Sequence, residues 1–308
     1  MNKEMLRDAD HFPYLVCPFT RRKLRFLSEN ELENINNRID SGELYFHPGI
    51  KVETHLAQAL VTEHQSYIYP IIDNILYLKS ETAIVAKNRT ENYLKRISQT
   101  IIDDFEAKYS FNSECSTVAS SSTKSISPEL VVSLKSKLLK KGDYFTSIGS
   151  SDIDALHNFI FQTNFEQYIH VDFDLNKLKS IQAELKGKTV LVLADNGNLP
   201  FSDGSLDALV SFDPINKYDK ADQKFIYDDL KRILSNDAAS VVFYENDKPL
   251  HTKFLLSADK LSKTARGLVM PWKKFKMPTF YFEGINPSST NGSSNQTVGK
   301  ASLNQQFS

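Results

Sequence analysis

Gly149, Asp172 and Asp195 each stand directly behind a short apolar run, and that placing gives them a chemistry to do. The runs are Tyr144–Ile148, Tyr168–Val171 and Val190–Ala194, with segments of helical pattern at 153–162 and 175–185 between them. Strands alternating with helices of about a dozen residues form right-handed crossovers in a parallel sheet. Ligands of such sheets bind beyond the carboxyl ends of the strands, near the point where strand order reverses. A nucleotide-like cofactor laid there needs a close turn behind the first strand. It also needs an acid behind the second to accept hydrogen bonds from ribose hydroxyls, and a polar group behind the third to meet the adenine edge. Gly149, Asp172 and Asp195 occupy those three places.

The chain around them has 308 residues, of which 41% are hydrophobic, enough for an ordinary core and two modest domains. No run approaches the roughly 20 apolar residues that span a bilayer. The charged start, Met1–Asp10, is unlike a signal peptide, so a cytoplasmic location without membrane contact is expected. A formal net charge of -1 gives no global attraction to nucleic acid or anionic lipid. Cys17 and Cys115 are too few for a disulfide framework or a cysteine-built zinc site. His47 and His64 lie in polar loops and are expected to be solvated, so no metal is expected.

Phe12–Pro18 reads as a strand entering a turn, Glu31–Asp40 as a short helix, and Ala59–Val61 and Tyr67–Tyr69 as strands joined by a hairpin. Asp73-Asn74 then turns the chain into Ile75–Leu78. From Ala83 to Tyr109, Ile84, Tyr93, Leu94, Ile97, Ile101, Ile102 and Phe105 recur at helical spacing and predict a helical connector. Residues 110–127, rich in serine and threonine, predict a mobile linker, and Ser127-Pro128 opens a helix to about Leu139. Gly267–Met270 and Thr279–Phe282 are expected to close the sheet edge as an antiparallel pair. Trp272 with Lys273–Lys276 reads as a solvated loop, and the polar tail from Asn286 as disordered. The expected organisation is a small domain over 1–80, a connector and linker over 81–127, a main domain over 128–285 and a tail over 286–308. The class is α/β: a mostly parallel sheet with helices on both faces, preceded by a small α+β domain.

Two parts of the chain resemble known families. Leu15-Val-Cys-Pro-Phe-Thr20, Asn36–Gly42, Ala59–Glu63 and Tyr69–Ile75 together resemble the small zinc-ribbon-like domains that activate tRNA and protein methyltransferases. Zinc-bearing members grip the metal with paired cysteines, whereas here Cys17 stands alone and Thr20 and residues 63–67 occupy the knuckle positions. Asp195–Ser211, with its Leu199-Pro200-Phe201, and Val171–Leu178 resemble class I S-adenosylmethionine-dependent methyltransferases, in particular the subgroup with the ubiquinone and menaquinone methylases. Phe225–Leu234 and Ala239–Tyr244 are similar to that family's fourth helix and fifth strand. The resemblance implies a Rossmann-like sheet and S-adenosyl-L-methionine as cofactor, held by Gly149, Ser151, Asp172, Phe173, Asp195, Asn196 and Phe212. The first turn departs from it. Ser147, Gly149, Ser151 and Ile153 stand where the family carries an acid and three glycines, which let the backbone approach the methionine moiety.

Methyl transfer is an in-line displacement at a sulfonium carbon, so an enzyme chiefly positions the acceptor and excludes water, sometimes adding a base. His157, His170, Asp213 and Tyr218 fall near the strand ends, and none of them is singled out as that base. The expectation is a methyltransferase acting on a small-molecule or metabolite acceptor, with residues 1–80 as an in-cis activator-like domain open to a protein partner. The degenerate first turn favours an alternative, a catalytically inactive methyltransferase-like protein serving as an interaction or activator partner. Nucleic acid is not expected as a partner, since RNA modification would rest on two short basic clusters.

Overall fold

The computed structural model describes residues 12–86, 98–109, 138, 141–149, 163–182, 189–245 and 279–285. The linker at 110–127, the helices expected at 128–139 (Leu138 apart) and 153–162, Ser151, His157, Gly267–Met270, the Trp272 cluster and the tail from Asn286 lie outside the described residues. The fold is mixed α/β with a large, mostly parallel sheet. It divides into two compact units that do not follow chain order: Met1–Ser121 with His170–Ser202, and Ser122–Ile169 with Asp203–Ser308.

In the first unit, β1 (Leu24–Phe26) leads into α1 (Glu29–Asp40), followed by β2 (Tyr45–Phe46), β3 (Ala59–Thr62), β4 (Tyr67–Ile72), β5 (Ile75–Tyr77) and β6 (Ile84–Val85). Helix α1 starts two residues before the sequence reading. The Ser28 hydroxyl accepts the Glu31 N–H (3.4 Å) and the Glu31 carboxylate accepts the Ser28 N–H (2.9 Å), a reciprocal cap. Between β4 and β5, Asp73 and Asn74 both take positive φ (51° and 60°), as a two-residue hairpin turn demands and as their short polar side chains tolerate. Phe12–Pro18 does not form the expected strand. It makes only isolated bridges, Leu15 with Phe201 and Val16 with Lys23, because Pro13 and Pro18 bracket the run without N–H groups to extend a ladder. The expected connector helix is also corrected at its start. Ile84–Val85 pairs with β2 and β4 as a strand, a β-branched pair whose open partners outweigh a weak helical spacing. Helix α2 covers Gln99–Lys108.

The pairing that matters most for the site is made by β5. It lies parallel to β9 (Thr189–Leu193), with Ile75, Leu76 and Tyr77 opposite Leu191, Val192 and Leu193. The Leu78 N–H extends the ladder to the Leu193 carbonyl (2.8 Å). Within this unit the order is β1-β3-β4-β5-β9 and then the end of β8 (Asn164–Asp172), after which comes α3 (Leu175–Gln182). Residues 14–24 lie along the loop behind β9. Val16 N–H donates to the Pro200 carbonyl (2.9 Å), Ser202 N–H to the Tyr14 carbonyl (2.8 Å), and Arg21 reaches the Leu199 carbonyl (2.8 Å) and Asn198 Oδ1 (2.7 Å). The lone thiol of Cys17 is buried 3.1 Å from the Tyr69 hydroxyl, whose ionisation is pushed up by burial first and by Cys17 second. Among the described residues no group of His, Cys, Asp and Glu could hold a metal ion.

In the second unit the order is β8-β7-β10-β11-β12, with β7 (Lys141–Ile148), β10 (Leu206–Ser211), β11 (Leu234–Glu245) and β12 (Thr279–Ile285). Strand β10 lies parallel to both β7 and β11. Phe145, Ile148, Leu209, Val210 and Val241 are buried, as strands covered on both faces require. Helix α4 (Lys220–Ile233) starts ahead of the expected Phe225 because Asp219 caps it, accepting the N–H groups of Ala221 (2.8 Å) and Asp222 (2.9 Å). Gly267–Met270, the antiparallel partner expected for Thr279–Phe282, lies outside the described residues. Strand β12 runs parallel to β11, from Ala239 opposite Thr279 to Glu245 opposite Ile285. The chain between them exceeds the dozen or so residues that a parallel crossover needs. No helix among the described residues is long and apolar enough to cross a membrane.

Candidate cofactor site at the strand ends

Asp172 is the last residue of β8 and has 0% of its surface exposed. Its Oδ1 accepts the Asp174 N–H at 2.9 Å, turning the chain into α3, while its carbonyl accepts the Ala194 N–H (3.1 Å) and fastens the end of β9 beside it. Asp195 follows on that end, half-buried, and its Oδ2 accepts the N–H of Ser80 at 2.9 Å. Behind it the chain turns through Gly197 (φ 82°), and Asn198 N–H donates to the Asp195 carbonyl (3.3 Å). Phe173 and Asn196 are half-buried next to the two acids. The Phe173 carbonyl accepts Lys79 Nζ (3.2 Å), and Lys177 Nζ lies 5.6 Å from the Phe173 ring centre. Lys79 also pairs with Glu81 (3.3 Å) and stands 5.8 Å over the Tyr109 ring. The Tyr109 hydroxyl donates to Glu81, and burial, ahead of Glu81, pushes its ionisation up, so it stays a neutral donor. The fold therefore brings Asp172, Phe173, Asp195 and Asn196 together with Lys79, Ser80, Glu81 and Tyr109. Sequence reading missed the latter group, and no signal marks it, since Ser80 acts through its backbone.

In the second unit, Gly149 follows β7 at φ 72°. A Cβ there would sit 3.1 Å from Asp213 Cβ and 3.2 Å from Asp213 N, and the Phe212 N–H donates to the Ile148 carbonyl next door (2.9 Å). The close approach that this glycine permits is thus made by the end of β10. Phe212 is buried and stacked on Phe243, with ring centres 5.6 Å apart at 9°. The Asp213 carboxylate pairs with Lys217 and accepts the Tyr218 hydroxyl (2.7 Å), fixing the turn at Ile215–Lys217.

His170 lies inside β8 with 1% exposure, and burial pulls its pKa down to about 4. The ring sits inside the strand, not at its end, and its burial leaves a trace in stability. Below its ordinary value of 6.5 the unfolded chain binds a proton that the folded chain refuses until about pH 4. Stability is therefore full above pH 6.5 and falls through that window, by up to about 1.4 kcal/mol per pH unit for one proton. His170→Gln should flatten this slope in urea midpoints taken at pH 7 and pH 5. An unaltered slope would mean that another group carries it.

Residues 153–242 match the family model described as a methyltransferase domain. The matched segment contains Asp172, Phe173, Asp195, Asn196 and Phe212, and it begins beyond the Gly149 turn. Among solved structures, the chain is similar to one in the Haloferax volcanii complex between the Trm112 methyltransferase activator and a methyltransferase. The identity there is 20% over 34% of this chain, at a TM-score of 0.30, and the match spans only 46% of that chain's own length. XF2673 from Xylella fastidiosa matches at 26% identity over 32% of this chain and 100% of its own, with a TM-score of 0.22. YcgJ from Bacillus subtilis matches at 14% identity over 44% and 57%, with a TM-score of 0.32. At these TM-scores the likenesses are local. No curated protein matches the chain.

Proposed function

We propose that this protein is an S-adenosylmethionine-dependent methyltransferase acting on a small-molecule or metabolite acceptor, with the adenosyl end of the cofactor held by Asp172, Phe173, Asp195 and Asn196. The observation that carries this reading is Asp172: a carboxylate with 0% exposure at the end of β8, next to Ala194-Asp195, inside the segment that matches the methyltransferase-domain model. Burying a carboxylate is costly without hydrogen bonds, and Asp172 Oδ1 has the Asp174 N–H. Each carboxylate oxygen accepts more than one donor, so the residue fits a ribose diol, whose two hydroxyls point the same way. The half-buried Asp195 and Asn196 suit the polar edge of adenine, and the Phe173 ring its face. When bound, the cofactor supplies an electrophilic methyl group on a sulfonium. The chain's own residues bind and orient it. Gly149, Ser151 and Phe212 are proposed cofactor residues on the sequence pattern alone.

The ubiquinone and menaquinone methylase subgroup, and the reading of residues 1–80 as an activator-like domain open to a protein partner, belong to the same proposal. The parallel pairing of β5 with β9 supports the in-cis part, since the N-terminal segment adds a strand beside the acids. The second reading, a methyltransferase-like protein without catalysis, is favoured by one feature: Gly149 is already approached by Asp213 of its own chain. A thermal melt with S-adenosylhomocysteine separates the two. At a hundred times its Kd, a ligand stabilises the native state by about 2.7 kcal/mol, and the melting temperature should rise. Absence of any rise at millimolar ligand, in protein shown to be folded, would establish the second reading.

A further inference from the structure

We infer that Lys79 and Ser80 are positioning residues for the adenosyl end of the cofactor, Ser80 through its backbone N–H on Asp195 and Lys79 through its ammonium group on the carbonyl of Phe173. This rests on the cofactor reading above and adds to it residues outside the methyltransferase-domain segment.

The geometry follows from the β5–β9 pair. The ladder ends with Tyr77 opposite Leu193 and the Leu78 N–H on the Leu193 carbonyl. Both strands then turn away, and just beyond the ladder Ser80 N–H meets Asp195 Oδ2 at 2.9 Å. Ser80 opens a 3-10 turn, Ser80–Thr82, so its N–H has no partner within the turn and is available to a side chain. A backbone N–H on a carboxylate is a charge-assisted bond and fixes the carboxylate plane. With Oδ2 engaged, Oδ1 is the oxygen presented for the 6-amino group of adenine.

The segment making these contacts is itself held firmly. The fully buried Thr82 reaches the carbonyls of Lys79 (2.9 Å) and Tyr77 (3.2 Å) through its hydroxyl, and Glu81 receives both Lys79 and the Tyr109 hydroxyl. Lys79 Nζ, tied to Glu81, stands 3.2 Å from the Phe173 carbonyl, directly behind Asp172. One stretch of chain thus grips the loops that carry both acids.

Proline at position 80 isolates the Ser80 contact. Lys79 has φ -81° and ψ 144°, an extended conformation suited to the residue before proline, and the first position of a helical turn tolerates proline well. Ser80→Pro therefore deletes the N–H with little strain, whereas Ser80→Ala keeps it. Calorimetric titration should show S-adenosylhomocysteine binding about tenfold weaker to S80P and within twofold of wild type to S80A. The wild type should also prefer S-adenosylhomocysteine to its 6-oxo analogue, S-inosylhomocysteine, which lacks the amino donor. S80P should narrow that preference at least fivefold, which a general loss of stability would not do, since it would weaken both ligands alike. Should S80P fail to fold, Lys79→Met is measured instead and should weaken both ligands several-fold without altering their ratio. Wild-type affinity in S80P, or in K79M where S80P does not fold, overturns the inference, as does an S80A loss equal to that of S80P. Wild-type protein that binds neither ligand overturns the cofactor reading itself, a different failure.

Discussion

Asp172→Ala is expected to abolish the rise in melting temperature that S-adenosylhomocysteine produces, with affinity reduced at least a hundredfold. Hydrogen bonds to a charged acceptor contribute roughly 1.5–3 kcal/mol each, and two ribose hydroxyls on one carboxylate give about 3–6 kcal/mol, or two to four powers of ten. The same substitution strips the Asp174 N–H of its acceptor, which costs about 1 kcal/mol of stability by itself. Asp172→Asn separates the two effects, because its amide oxygen can still take the Asp174 N–H while the charge is gone. It should melt within a few degrees of wild type without ligand, yet show a much smaller ligand-induced shift. An unchanged shift in D172A would place the ribose contact elsewhere and remove the main support for the proposed function.

The second large effect concerns the turn behind β7. Gly149→Ala is expected to destabilise the protein by about 2–3 kcal/mol, the sum of a left-handed backbone penalty and crowding against a fixed neighbour. The crowding is specific: the new methyl would lie 3.1 Å from Asp213 Cβ and 3.2 Å from its backbone nitrogen. Gly204 provides the comparison within the same unit, because it has a similar φ of 64° but only the Leu234 carbonyl near a methyl, at 3.9 Å. Gly204→Ala should therefore cost only about 1 kcal/mol. Urea midpoints for the two variants test the difference. Equal losses would mean that Asp213 yields easily and that the space at Gly149 is open to a ligand after all.

These two positions also show how the two readings of the protein divide. Asp172 is a buried carboxyl group at the end of β8 within the matched segment, and Gly149 is closely approached by Asp213. The enzyme reading rests on the acids, and the glycine carries no independent weight.

Much of the local structure was legible in the residues. Apolar runs closed by Gly149, Asp172 and Asp195 located β7, β8 and β9, and Asp73-Asn74 announced the hairpin between β4 and β5. The Ser28-x-x-Glu31 capping box marks the true start of α1, two residues ahead of Glu31. Such features are local because a turn conformation or a cap depends on side chains only a few residues apart.

Strand partners and directions were decided by the tertiary structure. That β5 would lie parallel to β9, that β12 would run parallel to β11, and that Ile84–Val85 would be a strand all depend on which open edges meet. Edges join through backbone N–H and C=O groups that are the same in every residue type, so no letter of the sequence names the partner. The donor facing Asp195 is hidden for the same reason: the amino acids by themselves fixed an acid at the end of a strand, and only the folded chain brought the peptide nitrogen of Ser80 to it.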